Sequence, residues 1–385
     1  MPFFTKHVGK NSYTWSGVKK LPSPKVFLKT WKHQIDTKGY TGGATADTVT
    51  RNWIIASGTI PFSSTNGWYG HLIGQNGKLF YAKTRGSKQL AFIYDPASGA
   101  SGDISTLISN GHGATFDLVN CDRTGTIMED GRLMFADEGT TNQISILDTE
   151  TLITEVVTIG GDGYRGSSIA RHRNGKYYAA QYQVYNLYEI DMETQTSKIV
   201  WTGNNAARSE GLLVGASEKI YVMPYNSYGL IYDPNTGAGT TFGVPGTEAS
   251  FGTQFYNGVL AQNGCIYVPP RSGTNVLKIN TYTDEVSQFN VTVGGYIGAT
   301  VGLNGKIYCP PISSLYYLII DPRDDSYELI GTYSGSFKWA HHGPAAFDGT
   351  IYPPHFYNAN DFTKITPTGG IIPPKFSYSP YTNTS

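Results

Sequence analysis

Apolar stretches of five or six residues, most carrying Tyr or Phe, recur along the chain between polar turns, and no long stretch keeps helical spacing. Seven of them follow a turn directly: KLFYAK from Lys78, RLMFAD from Arg132, KYYAAQ from Lys176, KIYVMP from Lys219, CIYVPP from Cys265, KIYCPP from Lys306 and TIYPPH from Thr350. The turns contain Gly77, Gly131, Gly175, Glu218, Gly264, Gly305 and Gly349, spaced by 54, 44, 43, 46, 41 and 44 residues. A second marker stands 15 to 18 residues after each of these, at Asp95, Asp148, Asp191, Asp233, Asn280, Asp321 and Thr366. An Asp opening a turn bonds the backbone two residues on, Pro sets φ at the next position, and Gly accepts positive φ.

Two apolar runs lie between the markers, as in Leu79 to Tyr81 and Leu90 to Tyr94. A small-residue run precedes most Gly turns: Gly70 to Ile73, Ser167 to Ala170, Gly211 to Gly215, Gln254 to Ala261, Ile297 to Leu303 and Pro344 to Phe347. A fourth follows the Asp turn, as in Ser197 to Trp201, Gly239 to Phe242, Glu285 to Val291 and Tyr327 to Ile330. Four antiparallel strands repeated every 40 to 45 residues or so define an all-β fold, a β-propeller. Residues 51–372 hold seven such blades at 46 residues each. The last unit lacks a convincing fourth strand, so Trp53 to Pro61 is expected to complete the seventh sheet and close the ring, hiding two sheet edges. Residues 1–50 form a separate basic segment and 373–385 a tail.

Composition fits a repeat of strands and turns. Charged residues make up 15%, against about a quarter in ordinary domains, while Gly (46) and Tyr (28) are abundant. The chain is neutral overall, but its first 50 residues hold eight lysines against two aspartates, a net +6 that leaves the remainder at −6. An acidic propeller argues against nucleic acid as its partner, and the basic segment suits an acidic protein partner. Cys121, Cys265 and Cys309 lack metal-ligand spacing, so neither a metal nor another cofactor is expected. No apolar run is long enough to insert in a membrane, and MPFFTKHVGKN lacks the apolar core of a signal peptide. Release within a virus particle would reconcile work outside a cell with the missing signal.

Residues Trp15 to Lys32, WSGVKKLPSPKVFLKTWK, resemble the short W-x-x-V-K-K and K-V-x-x-K-x-W-K repeats of phage tail-fibre and tail-tip proteins, with Leu21 to Pro24 inserted. The resemblance implies docking on a virion through Trp15, Lys19, Lys20, Lys25, Lys29, Trp31 and Lys32. NGCIYVPP from Asn263 and NGKIYCPP from Asn304 are similar to repeats of phage and bacterial propellers of the kelch-like and lyase-like groups. That second resemblance specifies the fold rather than the function.

Ligands of propellers meet the face that carries the loops between second and third strands and those between blades. Here these loops are rich in Tyr, Asn, Ser and Gly, a mixture of rigid aromatic area and adaptable hydrogen bonding that suits sugars and protein surfaces. The residues expected to touch a ligand are Arg85, Tyr182, Tyr185, Tyr225, Tyr228, Arg271, Tyr316 and Tyr357. The blade-to-blade loops add His112, Tyr164, Arg165, Arg208, Glu210, Glu248, Tyr296, Trp339, His341 and His342, among which His112, Glu210 and His342 could serve a lyase. No G-x-S-x-G, H-E-x-x-H or sialidase Asp box is present. The expectation is therefore a non-enzymatic virion protein of tail-fibre or tail-tip type, with other virion proteins and a host-surface polysaccharide or protein as partners. Homo-oligomeric assembly would suit a fibre. The alternative is a propeller enzyme, a lyase or glycan-active protein with an axial site.

Overall fold

The structure, a computed structural model, describes residues 48–53, 68–83, 91–96, 101–103, 125–136, 142–163, 166, 168–181, 186–203, 209–225, 228–243, 254–330, 343–346, 349–353 and 361–367. All its regular elements are strands. Six sheets of consecutive antiparallel strands follow one another. The first holds Trp68–Ile73, Leu79–Lys83, Ala91–Tyr94 and Ser101–Asp103, and the second Gly125–Ile127, Leu133–Ala136, Gln143–Leu147 and Thr154–Thr158. The third holds Ser168–Arg171, Tyr177–Ala180, Asn186–Asp191 and Thr196–Thr202, and the fourth Ser209–Val214, Ile220–Pro224, Gly229–Asp233 and Ala238–Phe242. The fifth comprises Val259–Leu260, Cys265–Val268, Asn275–Asn280 and Glu285–Asn290, and the sixth Thr300–Val301, Ile307–Cys309, Tyr317–Asp321 and Ser326–Ile330.

A further antiparallel pair joins Thr48–Trp53 to Asp361–Thr366, from Thr48 opposite Thr366 to Trp53 opposite Asp361. Single bridges extend it through Ile365 to Ile351 and on to Ala345. The early strand thus lies at Thr48–Trp53, before the expected Trp53 to Pro61; residues 54–67 are outside those described. The expected first strands at Gln254 to Ala261 and Ile297 to Leu303 shrink to Val259–Leu260 and Thr300–Val301. Their approaches are held instead by isolated bridges, Phe255 to Pro270 and Tyr296 to Pro311.

The reason for continuous apolar runs in the second strands is their burial on both faces. Leu133–Ala136, Tyr177–Ala180, Ile220–Pro224 and Cys265–Val268 are buried at every position. Outer strands such as Glu285–Asn290 mix exposed and half-buried residues. The core is a series of interfaces between successive sheets. One cluster joins Phe80 to Phe135, another Ile146 to Ile169, a third Tyr178 to Leu212, a fourth Leu213 to Ile266, a fifth Tyr267 to Ile307, and a sixth Tyr308 to Ile351 and Ile365. Each large side chain so buried contributes roughly 2 kcal/mol of transfer free energy.

The repeated turns explain why the markers keep step. In all seven leading turns the marker residue's N–H donates to the carbonyl three residues back, at 2.8–3.1 Å. All seven marker residues have positive φ, between 67° and 87°, which is why six are Gly; Glu218 is the exception. Asn or Asp just before the marker accepts from the N–H two residues on, as Asn263 does from Cys265 at 3.0 Å. The Asp turns are equally regular: Asp191, Asp233, Asn280 and Asp321 each accept from the backbone two residues later at 2.9–3.0 Å.

This end of each sheet also grips the next one. Asn76 Nδ2 donates to the Thr149 carbonyl at 2.8 Å, Tyr221 Oη to that of Thr281 at 3.1 Å, and Asn263 Nδ2 to that of Pro322 at 2.7 Å. Those acceptors all follow the first residue of a second-marker turn. Close approach marks the first two of these turns and that of the sixth sheet: a Cβ added at Gly74, Gly215 or Gly302 would stand 3.1, 2.8 or 3.2 Å from Thr149, Thr281 or Pro367.

Candidate functional site

Because strands alternate in direction, the loops between second and third strands lie at the opposite end of each sheet from the gripping turns. The second strand of the fifth sheet ends at Val268, where Pro269 and Pro270 supply no N–H to a ladder. Arg271 comes next, and its N–H donates to the Gln254 carbonyl at 2.9 Å, while Gln254 N–H donates to Ser272 Oγ at 3.0 Å. This brings the segment between the fourth and fifth sheets against the loop. Phe255 there is fully buried and the following residue, Tyr256, is half-buried.

Three side chains meet at this point. The Arg271 guanidinium lies 5.0 Å from the Tyr256 ring centre and 5.9 Å from that of Tyr225. The two rings stand edge to face, with centres 4.9 Å apart and planes at 84°, and their hydroxyls are 3.4 Å apart. Arg271 Nη1 also donates to Gln254 Oε1. Tyr225 and Arg271 occupy the same repeat position, seven residues after Glu218 and Gly264. The sequence pattern singled out both. It missed Tyr256, which lies in a run read as strand.

Electrostatically, Arg271 stands apart from the other arginines with described side chains. Arg132, Arg171, Arg173 and Arg323 each lie within 3.3 Å of a carboxylate oxygen, from Asp130, Glu129, Glu218 and Asp321. Arg271 has no ion pair with a described carboxylate. Its charge is instead spread against two aromatic faces, worth about 0.5–2 kcal/mol per contact depending on desolvation.

Tyr228, one of the expected ligand contacts, is buried. Its side chain is 4% exposed and packs edge to face on Trp201 at 6.4 Å, within the cluster between the third and fourth sheets. The third strand begins at Gly229, so Tyr228 already faces the core. Tyr316 is half-buried; its N–H donates to Ser314 Oγ at 3.1 Å and its carbonyl accepts from Tyr296 Oη at 3.0 Å. Tyr296 is fully buried, and burial pushes its phenol well above the usual range, so it pins the loop. No described contact joins Tyr316 to the Tyr225 cluster.

Arg85, Tyr182, Tyr185 and Tyr357 lie outside the described residues, as do Trp15, Lys19, Lys20, Lys25, Lys29, Trp31 and Lys32. His112, Tyr164, Arg165, Arg208, Glu248, Trp339, His341 and His342 do too. Glu210 belongs to the strand Ser209–Val214. The one histidine with a described side chain, His172, sits at the gripping end of the sheets. Its Nε2 is 2.8 Å from the Glu218 carbonyl and its Nδ1 accepts from Asn174 N–H at 3.2 Å, so both ring nitrogens serve structure. Among the described residues no group of three or more His, Cys, Asp or Glu could hold a metal ion.

No known family profile matches the chain, and no curated protein matches its sequence significantly. Its fold has solved counterparts. A catalytically inactive variant of virginiamycin B lyase from Staphylococcus aureus, determined with quinupristin, is similar at 13% identity and a TM-score of 0.65, over 84% of this chain and 100% of that one. A streptogramin B lyase is similar at 15% identity and a TM-score of 0.65, over 83% and 97%. The extracellular domain of the two-component system protein BT4673 from B. thetaiotaomicron matches at 11% identity and a TM-score of 0.59, over 88% of this chain and 44% of that one. These are β-propeller-like proteins, so this chain is an all-β protein of that fold.

Proposed function

We propose that the chain is a seven-bladed propeller acting as a non-enzymatic binding module of a virion, of tail-fibre or tail-tip type. Seven blades are supported by seven turns of one geometry and by the bridges that add Ala345, Ile351 and Ile365 to the outermost pair. Closure is supported by Thr48–Trp53 pairing with Asp361–Thr366 and by Tyr81 Oη donating to the Tyr352 carbonyl at 3.1 Å, across 271 residues. Docking through the basic segment rests on the resemblance of Trp15 to Lys32 to tail-protein repeats.

The observation that carries the binding role is the Tyr225, Tyr256 and Arg271 cluster on the loop face, an aromatic pair with a cation that no described carboxylate neutralises. In the proposed role it contacts the host surface. Abundance of the protein in purified particles tests the virion assignment, and its absence from them sinks it. Adsorption by particles carrying Tyr225→Ala with Tyr256→Ala tests attachment: adsorption should fall while assembly stays intact. An enzyme is the second reading, favoured by the lyases among the similar structures. Turnover of a polysaccharide by the purified protein, lost on His342→Ala, would establish it.

A further inference from the structure

We propose that Tyr225, Tyr256 and Arg271 form a subsite for a carboxylate-bearing sugar unit of an acidic polysaccharide. The inference rests on the binding-module reading and adds a ligand class to it. A guanidinium presents five N–H donors in a planar fork that matches a carboxylate. Among the described residues, Gln254 Oε1 is the acceptor for Arg271 Nη1, and no carboxylate neutralises the charge. The four arginines that meet carboxylates show what this protein does with a cation it uses for stability.

The aromatic pair favours a sugar over other acids. Two half-buried rings at 84° form a corner with apolar faces, and their hydroxyls, 3.4 Å apart, add a polar edge. A pyranose carries both complements, C–H faces and hydroxyls, on one rigid ring. An acidic peptide would dock by adding a strand, but the strand end beside Arg271 is Pro269 and Pro270, which offer no donors. A phosphate chain gains most from several cations, and Arg271 is the single cation in the described cluster. The links from Arg271 and Ser272 to Gln254 hold the loop before any ligand arrives, which limits the entropy lost on binding.

The test is calorimetric titration of the full-length protein with trigalacturonate, its neutral carboxyl-reduced counterpart and a polyglutamate peptide. Trigalacturonate should bind at least about tenfold more tightly than either of the others, and Arg271→Lys, which keeps the charge but loses the fork, should weaken it about tenfold. Tyr256→Phe should cost only a few-fold and Tyr256→Ala about tenfold. A second readout needs no substitution: trigalacturonate at saturation should slow phenylglyoxal labelling of Arg271, read by peptide mass spectrometry, while the neutral sugar should not. Equal binding of acidic and neutral sugars, unaffected by Arg271→Lys, overturns the carboxylate subsite and leaves the binding module standing. Preference for polyglutamate overturns it in favour of a peptide. Absence of saccharide binding with Arg271 unprotected also overturns it, while adsorption by the Tyr225 and Tyr256 double variant judges the module itself.

Discussion

Where first strands turn into second strands, seven turns share one hydrogen bond and one sign of φ; where second strands turn into third, one repeat position holds Tyr225, Arg271 and Ile312 in successive sheets. The first end is where sheet meets sheet. Tyr221 Oη donates to Asp284 Oδ1 at 2.7 Å and Tyr267 Oη to Asp325 Oδ1 at 2.6 Å, each reaching the following sheet's turn. Lys219 and Lys278 pair with the same two aspartates. At the other end the described loops share a backbone link, Arg271 N–H to the Gln254 carbonyl and Ile312 N–H to that of Gly295, while the side chains at that position differ from sheet to sheet. Uniform chemistry at one end marks what every interface requires; variety at the other marks where selection for a ligand can act.

The largest effect should come from Tyr267→Ala, which empties a fully buried site between the fifth and sixth sheets and should cost about 3–5 kcal/mol of unfolding free energy in a denaturant titration. If its cost were no greater than that of a loop-face change, the contrast between the two ends would collapse. Asp325→Ala should cost about 1–3 kcal/mol, because it removes the carboxylate that accepts from the Tyr267 hydroxyl and pairs with Lys278, yet leave ligand binding by the loop face unchanged.

A third prediction concerns pH. Burial raises the Glu218 carboxyl above its usual 4.5, opposed by Arg173 and His172. Arg173 Nε lies 2.9 Å from Glu218 Oε1, but neither carboxylate oxygen has an aligned hydrogen bond. A raised folded pKa means that the group's contribution is present below 4.5 and is lost as pH rises through the folded value. Glu218→Gln should flatten this part of the stability profile in thermal melts across that window. The aspartates of the repeated turns have the opposite sign. Lys176 holds Asp191 low, and Arg323 holds Asp321 low, so their contribution is present above the usual 3.8 and lost as pH falls through their lowered values. The smallest effect should be that of Arg271→Gln on unfolding, below about 0.5 kcal/mol, since no described carboxylate is left unpaired. A large stability loss there would make Arg271 part of the scaffold.

The fold was legible because its signals are local. Positive φ selects Gly, and an Asx turn needs only a residue two positions away, so both turn markers can be read from a single strand pair. The grip between sheets was not legible, since the Tyr267 hydroxyl finds its carboxylate 58 residues on and the tyrosine reads simply as a strand former. The burial of Tyr228 was not legible either, because it depends on the third strand starting at Gly229, one residue later. Tyr256 was hidden within an apparent strand whose ladder narrows to Val259–Leu260. Nor did any periodicity announce that Gly160–Gly161 runs parallel to Thr196–Ser197, covering the outer edge of the third sheet.

The pairing of Thr48–Trp53 with Asp361–Thr366 bears on synthesis. During translation the earlier strand emerges with its hydrogen-bonding groups unmatched and must wait until nearly the whole repeat array has left the ribosome. Closing so long a loop adds little to its free-energy cost but delays the last contact, leaving a nascent edge open to neighbouring chains on the same polysome. Ribosomes that stall before Asp361 should therefore release chains that stick to one another.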